Sequence, residues 1–150
     1  MQIYDYNYHV KKLDILLSKQ LSKVLVAQDI PFTDSQATLI MYLYHHQDQV
    51  IYQKNLPTIL GISGPTGNGL VKRLVQKRAL ELREDPQDGR LKQLVLVPEI
   101  VADITRRQAD FERAFADIDR QLTTGMSADE VRMFRNLLKR AIQNMTPNQS

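Results

Sequence analysis

Residues 60–97 read LGISGPTGNGLVKRLVQKRALELREDPQDGRLKQLVLV. Ser63 is a favoured N-cap residue, so a helix is predicted to begin just after it. Two short strands are predicted at Leu80–Arg83 and Leu94–Val97, because Asp-Pro and Asp-Gly pairs between them are strong turn signals. This order of turn, basic helix and hairpin with a charged tip predicts a winged helix-turn-helix, in which a helix enters one groove of DNA and the hairpin reaches the next.

Positive charge is concentrated in the same part of the chain. The segment Lys54–Lys92 holds eight Lys or Arg residues against four Asp or Glu residues. Since the net charge of the whole chain is only +3, the remainder is slightly acidic. A basic segment on a nearly neutral body is typical of a phosphate-contacting surface. Charge alone leaves a solvated basic face as the alternative.

The flanks of this segment predict helices with apolar faces. Apolar residues recur at three- and four-residue spacing in Asn7–Gln28, and Thr33 with Gln36 forms a capping box that opens a second helix. Further helices are predicted at Gln53–Leu60, from Pro98 to about Thr123 as one long helix, and from Ser127 to Pro147. The 150 residues therefore predict one domain that is mainly α with a small β-hairpin wing, an α+β fold. The winged unit is expected at about 33–97, and dimerisation helices at about 1–30 and 98–150.

The terminal helices are too long for the winged unit to cover. A helix of about 25 residues is roughly 38 Å long, and a second copy of the same helices would cover its apolar face. Two-fold dimers are the commonest closed assembly, so a homodimer is predicted, with an intramolecular bundle as the alternative. The residues predicted at the dimer interface are Val10, Leu13, Leu17, Phe111, Phe115, Phe134, Leu138 and Ile142.

The predicted recognition helix carries polar side chains in its first turns, where helix-turn-helix proteins place base-contacting residues. Asn68 suits a bidentate pair with an adenine edge, and Thr66 suits a thymine methyl group or a phosphate. Lys72 and Arg73 lie one turn further on and suit backbone phosphates. Ser63 is expected to cap the helix whatever else it contacts.

The hairpin tip carries Arg90, which is free to enter a narrow minor groove. Asp88 is close enough to hold the guanidinium in place as a carboxylate fork, while an ordinary solvated hairpin is the alternative. The residues predicted to contact DNA are Gln53, Lys54, Ser63, Pro65, Thr66, Asn68, Lys72, Arg73, Asp88, Arg90 and Lys92.

The LGIS-x-PT turn, the DPQDGRLKQ tip followed by LVLV, and the long flanking helices resemble the MarR/SlyA type of bacterial transcriptional regulators. The resemblance covers roughly Tyr8 to Met145. It implies a triangular homodimer that grips a pseudo-palindromic operator and usually represses nearby genes. It also implies that a small phenolic or anionic effector binds a cleft between the dimerisation and DNA-binding regions and releases the DNA. Tyr42, Tyr44 and His45 are predicted to lie near that cleft.

Several residues depart from the family pattern. Gly64 stands where Arg is frequent and Gly67 where Val is common, and Gly69 adds a third glycine to the same helix. An interior glycine weakens a helix by about 1 kcal/mol relative to alanine, and Gly67 is also expected to leave a core-facing position empty. Arg78 replaces a glycine at a turn, where a positive φ would strain it. These changes bear on DNA affinity and rigidity more than on the fold.

Other classes of function find little support in the sequence. The chain has no cysteine, which excludes disulfides, thiolate catalysis and Cys-based zinc sites. No enzyme motif is present, so neither catalysis nor a cofactor is predicted. His45 and His46 are neighbours that face different directions on a helix, and His9 is far away in sequence, so no metal site is predicted.

No signal peptide or membrane segment is apparent, and a cytoplasmic protein is expected. Double-stranded DNA and a second copy of the chain are the predicted partners, and the membrane is not one. The alternative function is a winged-helix protein-interaction module whose DNA binding is weak or lost. A DNA-binding protein would lose affinity steeply as salt is added, whereas an interaction module would show little affinity at low salt.

Overall fold

The structure is a computed structural model that describes residues 5–147, so the outermost residues of the predicted flanks lie outside it. Its elements, in chain order, are α1 (Asp5–Ala27), α2 (Asp34–His45), a 3₁₀ helix (Gln53–Asn55), α3 (Leu56–Leu60), α4 (Gly64–Gln76), β1 (Leu80–Glu84), β2 (Lys92–Leu96), α5 (Pro98–Arg106), α6 (Gln108–Leu122) and α7 (Ala128–Met145). The predicted fold class, mainly α with a β-hairpin wing, is confirmed.

Side-chain caps begin the helices where the sequence predicts them. At α2 the Gln36 N–H donates to Thr33 Oγ1 at 3.2 Å, and the Thr33 N–H donates to Gln36 Oε1 at 3.1 Å. Ser63 caps α4 and Ser127 caps α7 through the same kind of N–H to hydroxyl bond. Each cap satisfies a backbone donor that the helix itself leaves free.

The winged unit is built around one apolar core. Leu39 of α2, Leu56 of α3, Leu74 of α4 and Leu80 of β1 are fully buried in it. The hairpin is antiparallel, with Leu80 opposite Leu96, and an isolated bridge from Tyr52 to Gln93 extends its edge. Packing of α4 and the hairpin on this shared core therefore sets where the helix and the wing lie relative to each other.

The single long helix predicted after Pro98 is wrong, because the chain breaks it at Arg107 (φ −102°, ψ 11°). There the Arg107 guanidinium donates to the carbonyl oxygen of Gln28 at 2.6 Å and lies 5.0 Å from the Phe111 ring centroid. The next residue, Gln108, begins α6. As a result α5 packs on the winged unit through Ile104, whereas α6 runs along α1.

The two glycines in the middle of α4 have different surroundings. A Cβ at Gly67 would lie 3.4 Å from Leu56 Cβ and 3.6 Å from Ile62 Cδ1. The expectation of an empty core position is therefore wrong, because α3 packs closely against this glycine. A Cβ at Gly69 would meet nothing within 4 Å.

The Gly69→Ala variant is expected to raise the free energy of unfolding by about 1 kcal/mol, because alanine has the higher helix propensity and has room here. Urea denaturation followed by circular dichroism measures the change. Gly61→Ala is the matched control, and it is expected to destabilise because Gly61 ends α3 with φ +68°. A lower stability for Gly69→Ala would show that this part of α4 is not an ordinary helix.

No helix of the part of the chain that the structure describes is both long and apolar enough to span a bilayer.

Candidate nucleic-acid interface

The N-terminal turn of α4 presents a group of exposed polar residues. The Thr66 N–H donates to Ser63 Oγ at 3.3 Å, and the Ser63 hydroxyl in turn donates to Thr66 Oγ1 at 2.9 Å. Ser63 therefore has the capping role that the sequence predicts. The Thr66 hydroxyl retains its own proton to donate outward, and Pro65 lies exposed beside it.

The structure brings together Gln53 and Asn68, which the sequence places 15 residues apart. Gln53 Nε2, at the start of the 3₁₀ helix, donates to Asn68 Oδ1 on α4 at 2.8 Å. The Asn68 carbonyl is thus already an acceptor, and its NH₂ group is the part left to face a base. An amide oxygen has two lone pairs, so a bidentate contact with adenine requires Asn68 to share this oxygen with Gln53.

Lys72 and Arg73 lie exposed on α4 and form no ion pair within residues 5–147. The Lys54 ammonium is also exposed, 6.0 Å from the centroid of the Tyr52 ring. Lys92 differs, because its ammonium donates to Glu84 Oε1 and to the Gly89 carbonyl, each at 2.9 Å. This hydrogen bond lowers the pKa of Glu84, and the ionised partner offsets the charge of Lys92. Of the predicted phosphate contacts, Lys92 is therefore the weakest candidate.

At the wing tip Asp88 holds Arg90 in the expected fork. Arg90 Nε donates to Asp88 Oδ1 at 3.1 Å, and Arg90 Nη2 donates to Oδ2 at 3.2 Å. The Arg90 side chain is still 91% exposed. The pair lowers the pKa of the Asp88 carboxyl, so the fork persists at neutral pH. An exposed ion pair adds little stability, and its effect is to limit the directions in which the guanidinium points.

A second carboxylate, Asp85, lies at the wing, and its role is not indicated by the sequence. The Tyr52 hydroxyl donates to Asp85 Oδ1 at 2.7 Å, and Gln93 Nε2 donates to the same oxygen at 3.2 Å. The hydrogen bond raises the pKa of Tyr52 and, with the bond from the Gln87 N–H, lowers that of Asp85. Tyr52 and Asp85 are 33 residues apart. The Asp-Pro pair predicts a turn, but no local signal predicts its distant partner.

Part of the chain is similar in sequence to a known protein family. Residues 29–91 match the model of the MarR family. The matched part, which is the winged unit, is similar to the MarR family. No curated protein shows significant sequence similarity to it.

Solved structures share the MarR-type fold over nearly the whole chain. The S. aureus MepR–DNA complex is 21% identical, covers 93% of this chain and 98% of its own, and has a TM-score of 0.77. The regulator MarR from Oenococcus oeni PSU-1 is 22% identical with coverages of 92% and 98% and a TM-score of 0.70. A mutant MarR from E. coli complexed with operator DNA is 19% identical with coverages of 94% and 99% and a TM-score of 0.69. At these identities the likeness concerns the fold.

Arg78 occupies the turn after α4. Arg78 adopts φ 60°, in the left-handed region that glycine favours. Its N–H donates to the Val75 carbonyl oxygen at 3.0 Å, and the next residue, Ala79, is fully buried. The turn therefore adopts the backbone conformation that glycine favours, although a strained arginine occupies it. The wing follows α4 directly.

A cavity of about 690 Å³ lies between the terminal helices and the winged unit. It is bounded by α1, α2, α6 and the start of α4, and among its lining residues are Asp14, Asp34, Thr66, Arg73 and Phe115. The cavity lies between the two regions where the resemblance to MarR/SlyA regulators implies an effector cleft.

The three residues predicted near the cleft do not line this cavity. It lies at the N-terminal end of α2, whereas Tyr42, Tyr44 and His45 lie at the C-terminal end. The Tyr44 hydroxyl is hydrogen-bonded to Thr105 Oγ1 at 2.9 Å, and the Tyr42 ring stacks on His46 with centroids 4.0 Å apart. Whether a residue lines a given cavity depends on the face and the end of the helix on which it lies.

The predicted dimer residues fall into two groups. Phe111 is only 7% exposed and packs in the core of the protomer, so its assignment to the dimer interface is corrected. Phe115 packs against the same core while half-buried. The other residues are half-buried or exposed on the terminal helices, namely Val10, Leu13 and Leu17 on α1 and Phe134, Leu138 and Ile142 on α7. Helix α7 buries none of its residues within the protomer.

Proposed function

We propose that this protein is a sequence-specific DNA-binding transcriptional regulator, a cytoplasmic homodimer that represses transcription until a small ligand releases it from a pseudo-palindromic operator. The observation that carries the proposal is the joint exposure of the N-terminal face of α4 and the Arg90 tip on a MarR-type fold. The MepR–DNA and MarR–operator complexes share this fold and support the proposal.

The two exposed elements suit different parts of a double helix. Thr66 and Asn68 on α4 suit base edges in a major groove, and the N–H groups of the first turn suit a phosphate. Lys54, Lys72 and Arg73 suit neighbouring phosphates. Arg90 suits a narrow minor groove, where the negative potential is high.

The apolar faces that one protomer leaves uncovered support a homodimer. Ile142 is 63% exposed and Met145 is 84% exposed on α7, and α1 exposes Val10 in the same way. A second protomer that covers these faces would hold two copies of α4 about 34–36 Å apart, the spacing of successive major grooves on one DNA face.

The position of the cavity supports release by a small ligand. Thr66 and Arg73 belong to α4 and also line the cavity, so an occupant would contact the element that is proposed to bind DNA. A ligand that binds the DNA-free conformation more tightly lowers DNA affinity by that difference. Arg73 suits an anionic effector, and the Phe115 ring suits a phenolic one.

The proposal is tested by selection of bound fragments from genomic DNA at low and high salt. A DNA-binding regulator is expected to enrich one pseudo-palindromic motif, and its affinity is expected to fall steeply with salt as phosphate contacts release counterions.

The Asn68→Ala variant is expected to select a broader set of sequences while keeping its affinity for random DNA. No enrichment and no affinity at low salt would favour the alternative, a winged-helix protein-interaction module, which the glycine-rich α4 would suit.

A further inference from the structure

We propose that Tyr52 is a positioning residue for the wing, whose hydroxyl holds Asp85 and thereby orders the tip that carries Arg90. This inference rests on the proposed DNA-binding function and adds to it a residue that is not itself expected to contact DNA. Tyr52 would connect the helical part of the winged unit to the hairpin tip.

Tyr52 is held in place by contacts outside the tip. Its N–H donates to Asn55 Oδ1 at 2.9 Å at the start of the 3₁₀ helix. Its backbone forms the bridge with Gln93, and the neighbouring Ile51 carbonyl accepts from the Leu94 N–H at 2.8 Å. Ile51 is buried in the core. The Tyr52 hydroxyl therefore projects from a well-anchored segment toward the hairpin.

Asp85 links this anchor to the tip because its two carboxylate oxygens face different partners. Oδ1 accepts from the Tyr52 hydroxyl and from Gln93 Nε2. Oδ2 accepts from the Gln87 N–H at 3.0 Å and from the Asp88 N–H at 3.1 Å, which closes the turn. Because these hydrogen bonds lower the pKa of Asp85, both oxygens remain acceptors well below neutral pH.

The connection continues from Asp88 to Arg90. Besides the fork to the guanidinium, Asp88 Oδ1 accepts from the Arg90 N–H at 3.0 Å. A continuous series of hydrogen bonds thus joins Tyr52, Asp85, Asp88 and Arg90. Loss of the first bond would leave the tip in more conformations, and DNA binding would then have to order it.

Tyr52 also adjoins the recognition helix in sequence and in space. The next residue, Gln53, donates to Asn68 on α4 at 2.8 Å. Two consecutive residues therefore contact the two elements that are proposed to bind DNA, one at the wing and one at α4. Through these contacts, segment 52–53 helps to set the distance between α4 and the wing.

The Tyr52→Phe variant tests the inference, because it removes the hydroxyl and keeps the ring. Amide hydrogen exchange on the free protein is expected to quicken several-fold at Gln87 and Asp88 while the exchange of α4 amides stays unchanged. Operator affinity is expected to fall by roughly 3- to 10-fold, which is the cost of ordering the tip when DNA binds. In the Arg90→Ala background the same change is expected to have less than about a twofold effect, since the ordered tip then has no arginine to present.

Tyr44→Phe is the matched control, because it also removes a hydrogen-bonded tyrosine hydroxyl but lies away from the wing. It is expected to change neither tip exchange nor operator affinity. Unchanged exchange at Gln87 and Asp88 in Tyr52→Phe would overturn the inference, as would an equal loss of affinity with and without Arg90. Failure of the wild-type protein to bind any DNA would instead overturn the proposed function. Amide hydrogen exchange on the free protein would still test whether Tyr52 orders the tip.

Discussion

Replacement of Leu138 by glutamate is expected to separate the proposed dimer into monomers and to lower operator affinity by about 100-fold or more. Leu138 is 43% exposed in a single protomer, on a helix that buries none of its residues there. In a two-fold dimer the substitution occurs twice, and each copy places an unpaired carboxylate in an apolar contact. A monomer binds one half-site only and so loses the roughly 10²- to 10⁴-fold gain from joined binding modules.

Sedimentation velocity and operator binding at matched concentrations measure the two effects of Leu138→Glu together. Asn136→Glu is the control, because it adds the same charge to the opposite side of α7, where the residue is exposed. It is expected to remain dimeric. A wild-type protein that sediments as a monomer would remove the dimer from the proposal, and a monomeric variant with unchanged affinity would remove the need for two joined half-sites.

Arg90→Ala is expected to weaken operator binding by about 1–3 kcal/mol, or roughly 5- to 150-fold. The guanidinium is almost fully exposed and is aimed by its fork to Asp88, so truncation removes a preorganised groove contact. The loss is expected to exceed that of Arg83→Ala, which removes the same charge from β1, where Arg83 pairs with Glu81. Fluorescence anisotropy with a labelled operator duplex measures both variants.

The Arg90→Lys variant separates charge from shape at the wing tip. Lysine keeps the positive charge but cannot form the two-pronged contact of a guanidinium, so only a small part of the lost affinity is expected to return. Full recovery in Arg90→Lys would assign the tip to a simple phosphate contact. Unchanged affinity in Arg90→Ala would remove the wing from the proposed DNA contact altogether.

Local signals predict much of the winged unit. The capping box at Thr33, the N-cap at Ser63 and the turn pairs of the hairpin act over three to six residues, and the structure confirms each of them. The fork between Asp88 and Arg90 joins residues that are two apart. The strained φ of Arg78 could likewise be predicted, because it follows from one residue type at one turn.

Contacts between distant segments account for the differences from prediction. At the helix break, Arg107 donates a hydrogen bond to the Gln28 carbonyl oxygen, 79 residues away. The close packing of α3 on Gly67 depends on how two helices approach each other. The position of Tyr42, Tyr44 and His45 away from the cavity depends on the end of α2 that faces α1 and α6.

The amino-acid sequence by itself determined most of the elements of this protein, their order, their caps and the charged tip, since these depend on backbone preferences and neighbouring side chains. It did not indicate the break between α5 and α6. Only the tertiary structure decided that Tyr52 holds Asp85, that Gln53 holds Asn68 and that α7 has no cover within one protomer. Such pairings arise when a shared apolar core brings remote segments within hydrogen-bond distance. Periodicity and residue spacing along a chain do not indicate which remote segments come within that distance.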